Sequence, residues 1–250
     1  MYKRQVLDNL DLIVRLPFQR LLAESLPGDA VITRIVAAEG DNVLYLLNAT
    51  DGQVYRAVRT DRGFELDTNF VCGPVPKPLI VGKLVDLVAM PLNDPNNAVV
   101  MGMDENGNLM QCIPNGAPPL TFQVPAPDMN WGTPKAFELN TMGLYLLDPL
   151  TNAVWIYWIS DNYQERPTLF FDEQVPPMGD VIDLALNKDD LYLLHANGTL
   201  TTCTFGYPTR CEDQATIKDM RQGGTSSPKM EGVIFNEIQF ASPPDPSLYL

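Results

Sequence analysis

The alternation of apolar and polar residues along this chain has a period of two almost throughout, and no stretch carries a helical apolar stripe of useful length. One phrase recurs. It reads LYLLNATDGQVYRAV from Leu44, VVMGMDENGNLMQCI from Val99, LYLLDPLTNAVWIYW from Leu144 and LYLLHANGTLTTCTF from Leu191, and LYL begins again at Leu248. Each phrase is an apolar strand, a turn rich in Asn, Asp and Gly, and an alternating strand, which is the signature of a β-hairpin. The predicted turns are Asn48 to Gln53, Asp104 to Asn108, Asp148 to Ala153 and His195 to Thr199. A further apolar strand precedes each phrase, at Val31 to Ala37, Leu84 to Met90, Ala136 to Leu139, Val181 to Leu186 and Phe235 to Ala241. A fourth follows, at Phe64 to Cys72, Leu120 to Val124, Thr168 to Phe171 and, more faintly, Ala215 to Met220.

The phrases start 55, 45, 47 and 57 residues apart, and four antiparallel strands in about fifty residues make one blade of a β-propeller. The expected fold is therefore all-β: a β-propeller fragment of four four-stranded blades plus the start of a fifth. The expected boundaries are a lead-in at 1–29, blades at about 30–75, 80–126, 133–173 and 179–222, and an incomplete blade at 233–250. A β-sandwich uses similar strands but has no reason to repeat a phrase at blade length. The stretch Val6 to Ala23 reads equally as an outer strand or a short helix.

With 45% hydrophobic and 19% charged residues, 22 prolines and 17 glycines, the 250-residue chain has the apolar content for a core and the turn formers for many short strands. A net charge of −14 disfavours nucleic acid and anionic lipid, which gain affinity from clustered Lys and Arg. No apolar run is long enough to span a bilayer, so no direct membrane insertion by this segment is expected. Asp8 and Asp11 interrupt what would be the apolar stretch of a signal peptide. Met1-Tyr2-Lys3-Arg4-Gln5 is what ATG TAT AAG AGA CAG encodes, which resembles the adapter end of transposase-based sequencing libraries. The chain is accordingly expected to be a metagenomic fragment cut at both ends.

LDLIVRLPFQRLL from Leu10, LDPLTNAVWIY from Leu147, VIDLALNKDDLYLLHANGTLTTC from Val181 and ASPPDPSLYL from Ala241 together resemble a bacterial β-propeller region. In that family the propeller follows a membrane anchor, and in some members a PPM-type serine/threonine protein phosphatase domain precedes the anchor. The resemblance implies an extracytoplasmic sensing or scaffolding portion. It brings no catalytic residues, and the aspartate-rich metal motifs of such a phosphatase are not in this chain.

Candidate chemistry is sparse. His195, the only histidine, sits on a predicted turn, no Gly-x-Ser-x-Gly pattern accompanies it, and it is expected to be exposed. No zinc ligand set forms from one histidine and four scattered cysteines. Asp104-Glu105-Asn106-Gly107 resembles the opening of a calcium loop without its closing glutamate, so no metal and no cofactor are expected. Cys203 with Cys211, and less securely Cys72 with Cys112, are expected disulfides, which favours an oxidising compartment; four reduced buried thiols are the alternative. Tyr45, Tyr145, Tyr192 and Tyr249 recur at one register, as core packing between blades or as a sugar platform.

The first strand of every propeller blade lines the central channel, which puts Arg34, Asp86, Asp183 and Glu237 there. Lys135-Ala136-Phe137-Glu138 offers no acid at the same offset. These charges either solvate the channel and pair with one another, or form a polar entrance that holds a cation or a polar ligand. The expected function is a non-catalytic ligand- or protein-binding module, its partner an unknown protein or small polar ligand. The alternative is a carbohydrate-active propeller enzyme with two carboxylates at the central channel.

Overall fold

The computed structural model describes residues 21–38, 42–77, 80–91, 94–128, 130–216, 234–241 and 247–249. The first sheet holds β1 (Ile32–Ala38), β2 (Val43–Asn48), β3 (Gln53–Thr60) and β4 (Gly63–Leu66), and the second β5 (Leu84–Ala89), β6 (Val100–Asp104), β7 (Asn108–Cys112) and β8 (Leu120–Gln123). The third holds β9 (Ala136–Leu139), β10 (Gly143–Asp148), β11 (Ala153–Trp158) and β12 (Thr168–Leu169). In the fourth, β13 (Val181–Asn187), β14 (Asp190–His195) and β15 (Thr199–Thr204) are followed by a split outer strand, β16 (Arg210–Cys211) and β17 (Ala215–Thr216), both paired to β15. The hairpin of β18 (Gln239–Ala241) and β19 (Ser247–Tyr249) opens a fifth unit. Within each sheet neighbouring strands are antiparallel, and the first strand of each packs beside the first strand of the next. This is a β-propeller of four four-stranded blades in a ring, with the start of a fifth.

The four recurring turns occupy equivalent positions between the second and third strands. The third is a single 3-10 turn, Pro149–Thr151, closed by Asn152 at φ 57°. Gly52 (φ 74°) could carry no side chain, since a Cβ there would lie 2.5 Å from the Lys83 Cα at the entrance to the second blade.

Period-two alternation along the second strand of each blade divides its residues between two inter-blade cores. Tyr45 and Leu47 pack with Leu84, Leu87 and Val100; Met101 and Met103 pack with Phe137, Leu144 and Leu146. Tyr145 and Leu147 pack with Leu184, Leu191 and Leu193, and Leu194 packs with Ile238. The tyrosine column is thus core where it is deepest, with Tyr45 against Phe70 and Tyr145 against Phe170. Tyr192, less buried, stacks on Phe240. The Tyr249 side chain lies outside the described residues. Of the ambiguous lead-in, Leu22 makes one isolated parallel bridge to Phe64 of β4, while Val6 to Arg20, like the first five residues and Leu250, lies outside the described residues.

Both expected disulfides are closed. Cys72 and Cys112 (Cα–Cα 5.5 Å) join the segment after β4 to β7, inside the core between the first two blades. Cys203 and Cys211 face each other across β15 and β16, with Cα atoms 4.0 Å apart. That is closer than the usual disulfide range of roughly 4.4 to 6.8 Å, because the two residues form a directly opposed antiparallel pair in which no backbone hydrogen bonds are exchanged. Among the described residues no helix is long and apolar enough to cross a membrane.

Candidate functional site

A β-bulge shapes the charged end of the channel. In β1, β5 and β13 the register against the second strand slips by one residue, between Ile32 and Arg34, Leu84 and Asp86, and Val181 and Asp183. The extra residue bends the strand and re-aims the side chain that follows it. Arg34, Asp86 and Asp183 hold the same position in their blades, opposite Leu47, Met103 and Leu194. In β9 the register is unbroken and Ala136 takes that place, opposite Leu147.

All four expected channel residues meet. Arg34 Nε lies 3.0 Å from Asp86 Oδ1, and Nη1 lies 2.7 Å from Asp183 Oδ2 and 3.3 Å from Glu237 Oε1. Arg34, Asp86 and Asp183 are buried, whereas the Glu237 side chain keeps 34% of its surface exposed. Burial alone would lower the Arg34 pKa, but the surrounding carboxylates hold it above its ordinary value. Burial pushes Asp86 up to about 7 against the opposing pull of Arg34, and it raises Glu237 too.

The two aspartates also join blades. Asp86 accepts the Leu87 N–H at Oδ1 and the Phe137 N–H of β9 at Oδ2, each at 2.8 Å. Asp183 accepts the Leu184 N–H at Oδ1 (2.9 Å) and the Ile238 N–H of the fifth unit at Oδ2 (2.8 Å). Every oxygen of both carboxylates therefore holds a backbone amide. An Asp→Asn exchange here would turn an amide NH2 towards a backbone N–H, so it removes hydrogen bonds along with charge and cannot be a structurally silent probe.

Above this floor opens a cavity of about 320 Å³. Its rim carries the exposed side chains Thr33, Glu105, Thr133, Lys135 and Asn236, with Glu237 beside them. Glu138 was not anticipated. It sits two residues beyond Ala136 on β9, about 7 Å further along the channel, and it does not line the cavity. Its offset from the other charged positions hid it, because the sequence does not announce which inner strands carry a bulge.

His195 corrects the expectation of an exposed histidine. Only 2% of it is accessible, with Nδ1 2.8 Å from Asp180 Oδ1 and Nε2 2.9 Å from Thr201 Oγ1. The same position in the other blades explains why. Asn48 accepts the Val31 N–H, Asp104 the Gly82 N–H, and Asp148 the Gly132 and Thr133 N–H groups. The last residue of the second strand thus clasps the segment leading into its own blade, and His195 does so through Asp180. Asp104 is saturated in this way, also accepting from the Asn106 and Asn108 amides. Among the described residues no group of three or more metal-ligating side chains forms.

No family model matches this chain, and no curated protein matches it in sequence. Solved structures do match in shape. A chain of a nidogen/laminin complex superposes with a TM-score of 0.50 at 14% identity, over 73% of this chain and 62% of that one. PorZ, a surface component of the type-IX secretion system of Porphyromonas gingivalis, gives 0.37 at 11% identity over 75% and 29%, and a Lactobacillus plantarum protein 0.46 at 10% over 76% and 57%. This chain thus spans less than two thirds of each. The likeness to the nidogen/laminin chain is one of fold, and the fold it shares is the β-propeller.

Proposed function

We propose that this chain is a non-catalytic binding module, a sensor or scaffold working outside the cytoplasm, with a small polar ligand or a projecting polar group of a protein seated in the cavity at the channel mouth. The observation that carries this reading is the division of labour at the mouth. Arg34, Asp86 and Asp183 make a hydrogen-bonded floor, while the exposed Lys135 and Glu105, and Glu237, which pairs with Arg34 yet stays part-open to water, stand around it where a ligand would meet them. Loops and strand ends of several blades converge there, as binding surfaces of rigid scaffolds do. The two closed disulfides support an oxidising compartment. The whole protein's activity, including that of any attached phosphatase domain, is a separate matter.

A carbohydrate-active enzyme would also keep two carboxylates in a central pocket, and Asp86 and Asp183 do share one. Each of their four oxygens already accepts a backbone amide, and three of the four also face the Arg34 guanidinium, so these carboxylates are committed to holding the axis, which favours the binding reading. Calorimetric titration with spermidine, a neutral disaccharide and a dicarboxylic acid tests it. Binding by one of them, weakened about tenfold or more in a Lys135→Gln, Glu237→Gln double variant that keeps its melting temperature, is the expected outcome. No binding in the panel, binding indifferent to the double variant, or turnover of the disaccharide would each argue against it.

A further inference from the structure

The residues that the bulges leave unpaired line the channel mouth. Each register slip sets one residue of an inner strand outside the ladder, Thr33 in β1, Val85 in β5 and Ile182 in β13, and all three border the cavity. Lys135, just ahead of β9, and Asn236, ahead of β18, border it from the third blade and the fifth unit, each directly before the axial residue of its own unit. The mouth is therefore a ring with one such position per unit. Its sides differ in chemistry. The second and fourth blades present Val85 and Ile182, and Val85 keeps 44% of its surface open. The first blade and the fifth unit present the hydroxyl of Thr33 and the amide of Asn236, with the Glu237 carboxylate beside them.

The lining is also negative. Asp86, Glu105, Asp183 and Glu237 stand against Arg34 and Lys135, so three carboxylates face two cations even when Asp86 holds its proton. The net charge of −14 adds a field of the same sign. A divalent metal ion needs several oxygen ligands at once, and among the described residues no group of three or more metal-ligating side chains forms. An ammonium asks less, since it donates its hydrogen bonds to whatever acceptors and waters surround it. The cavity of about 320 Å³ has the room of roughly ten waters, enough for a short alkyl chain and some solvent.

We propose that the mouth takes a primary ammonium carried on an unbranched alkyl stem, the chemistry shared by a lysine side chain of a partner protein and a free alkylamine. The inference rests on the reading of this cavity as the ligand site and adds the class of ligand. The stem lies against Val85 and Ile182, where its methylenes leave water, and the ammonium reaches Glu237, Asn236 and Thr33. Lys135, on the blade between those two apolar residues, repels a cation and so turns the charged end towards the fifth unit. An anion would meet an opposing field, and a neutral sugar would set its hydroxyls against Val85 and Ile182.

NMR titration of the disulfide-intact chain with butylammonium, butanol, glutarate and a capped Gly-Lys-Gly peptide tests it. Butylammonium and the peptide should shift the Asn236 and Glu237 amide signals with about millimolar affinity, which a handful of heavy atoms can supply. Butanol keeps the stem without the charge and should bind about tenfold more weakly or worse, and glutarate should not bind. Glu237→Gln should weaken butylammonium about tenfold, whereas Lys135→Gln alone should leave it equal or tighter. Val85→Ser should weaken butylammonium and spare methylammonium. The comparison of butylammonium with butanol on the unaltered chain depends on no variant's folding. A peptide that binds more tightly than butylammonium assigns the ammonium to a protein lysine, and equal affinity assigns it to a free amine; either supports the proposal. Glutarate or butanol binding as well as butylammonium overturns the ligand class while the cavity reading stands, and no binding by these probes or by a disaccharide overturns both.

Discussion

Replacing Arg34 by Met should destabilise the chain by about 3 to 5 kcal/mol, because it strips the counter-charge from carboxylates that stay buried. The side chain packs at the axis with only 10% of its surface accessible, and it pairs with Asp86, Asp183 and Glu237, each from a different blade. Met supplies comparable volume, so the loss reports charge and hydrogen bonding rather than a cavity. Urea unfolding at pH 7 measures it. The deficit should shrink on acidification, since protonating the orphaned carboxylates removes the repulsion that the arginine had balanced. Arg34→Lys should rescue only in part, because one ammonium cannot span the positions that Nε and both Nη atoms reach together. A loss below about 1 kcal/mol for Arg34→Met would show that the cluster contributes little to holding the blades.

Opening the Cys72–Cys112 bridge should cost about 4 kcal/mol and opening Cys203–Cys211 about 2.5 kcal/mol, on the chain-entropy estimate for closed segments of 40 and 8 residues. The difference has a structural side as well. Cys72–Cys112 ties two blades together through their shared core, whereas Cys203–Cys211 fastens a split edge strand to the sheet it already belongs to. Paired alanine replacements are the suitable variants, because a lone remaining thiol could exchange. Equilibrium unfolding of both double variants should give that order, and unreduced denatured protein should release no thiol. A reversed order, or two free thiols in the unreduced chain, contradicts the assignment.

The blades were legible because each second strand must present apolar residues to both sides and end in a turn of fixed chemistry, which makes the phrase recur. Arg34, Asp86, Asp183 and Glu237 were legible as a group for a similar reason: a charge flanked by apolar residues on an inner strand has nowhere to go but the axis. Their bonding was not, since a bulge is a slip between two strands and leaves no mark in either alone. Glu138 was missed for that reason. His195 was misjudged on another ground. A turn residue looks exposed in sequence, yet at this register the side chain bends back to hold the entering segment, a task that asparagine and aspartate share with it elsewhere in the chain.

The alternation along the second strands also fixes how substitutions combine. Leu146 and Leu147 are neighbours in sequence, but the first belongs to the core shared with the preceding blade and the second to the core shared with the following one. Leu147 and Leu193, far apart in the chain, fill a single core. Energetic coupling between mutations should therefore track blade junctions as well as sequence distance: Leu147 and Leu193, which share a core, should couple more strongly than the adjacent Leu146 and Leu147, which face different cores. Each second strand acts as a partition, so this chain can drift in sequence at one junction while the next remains unaffected.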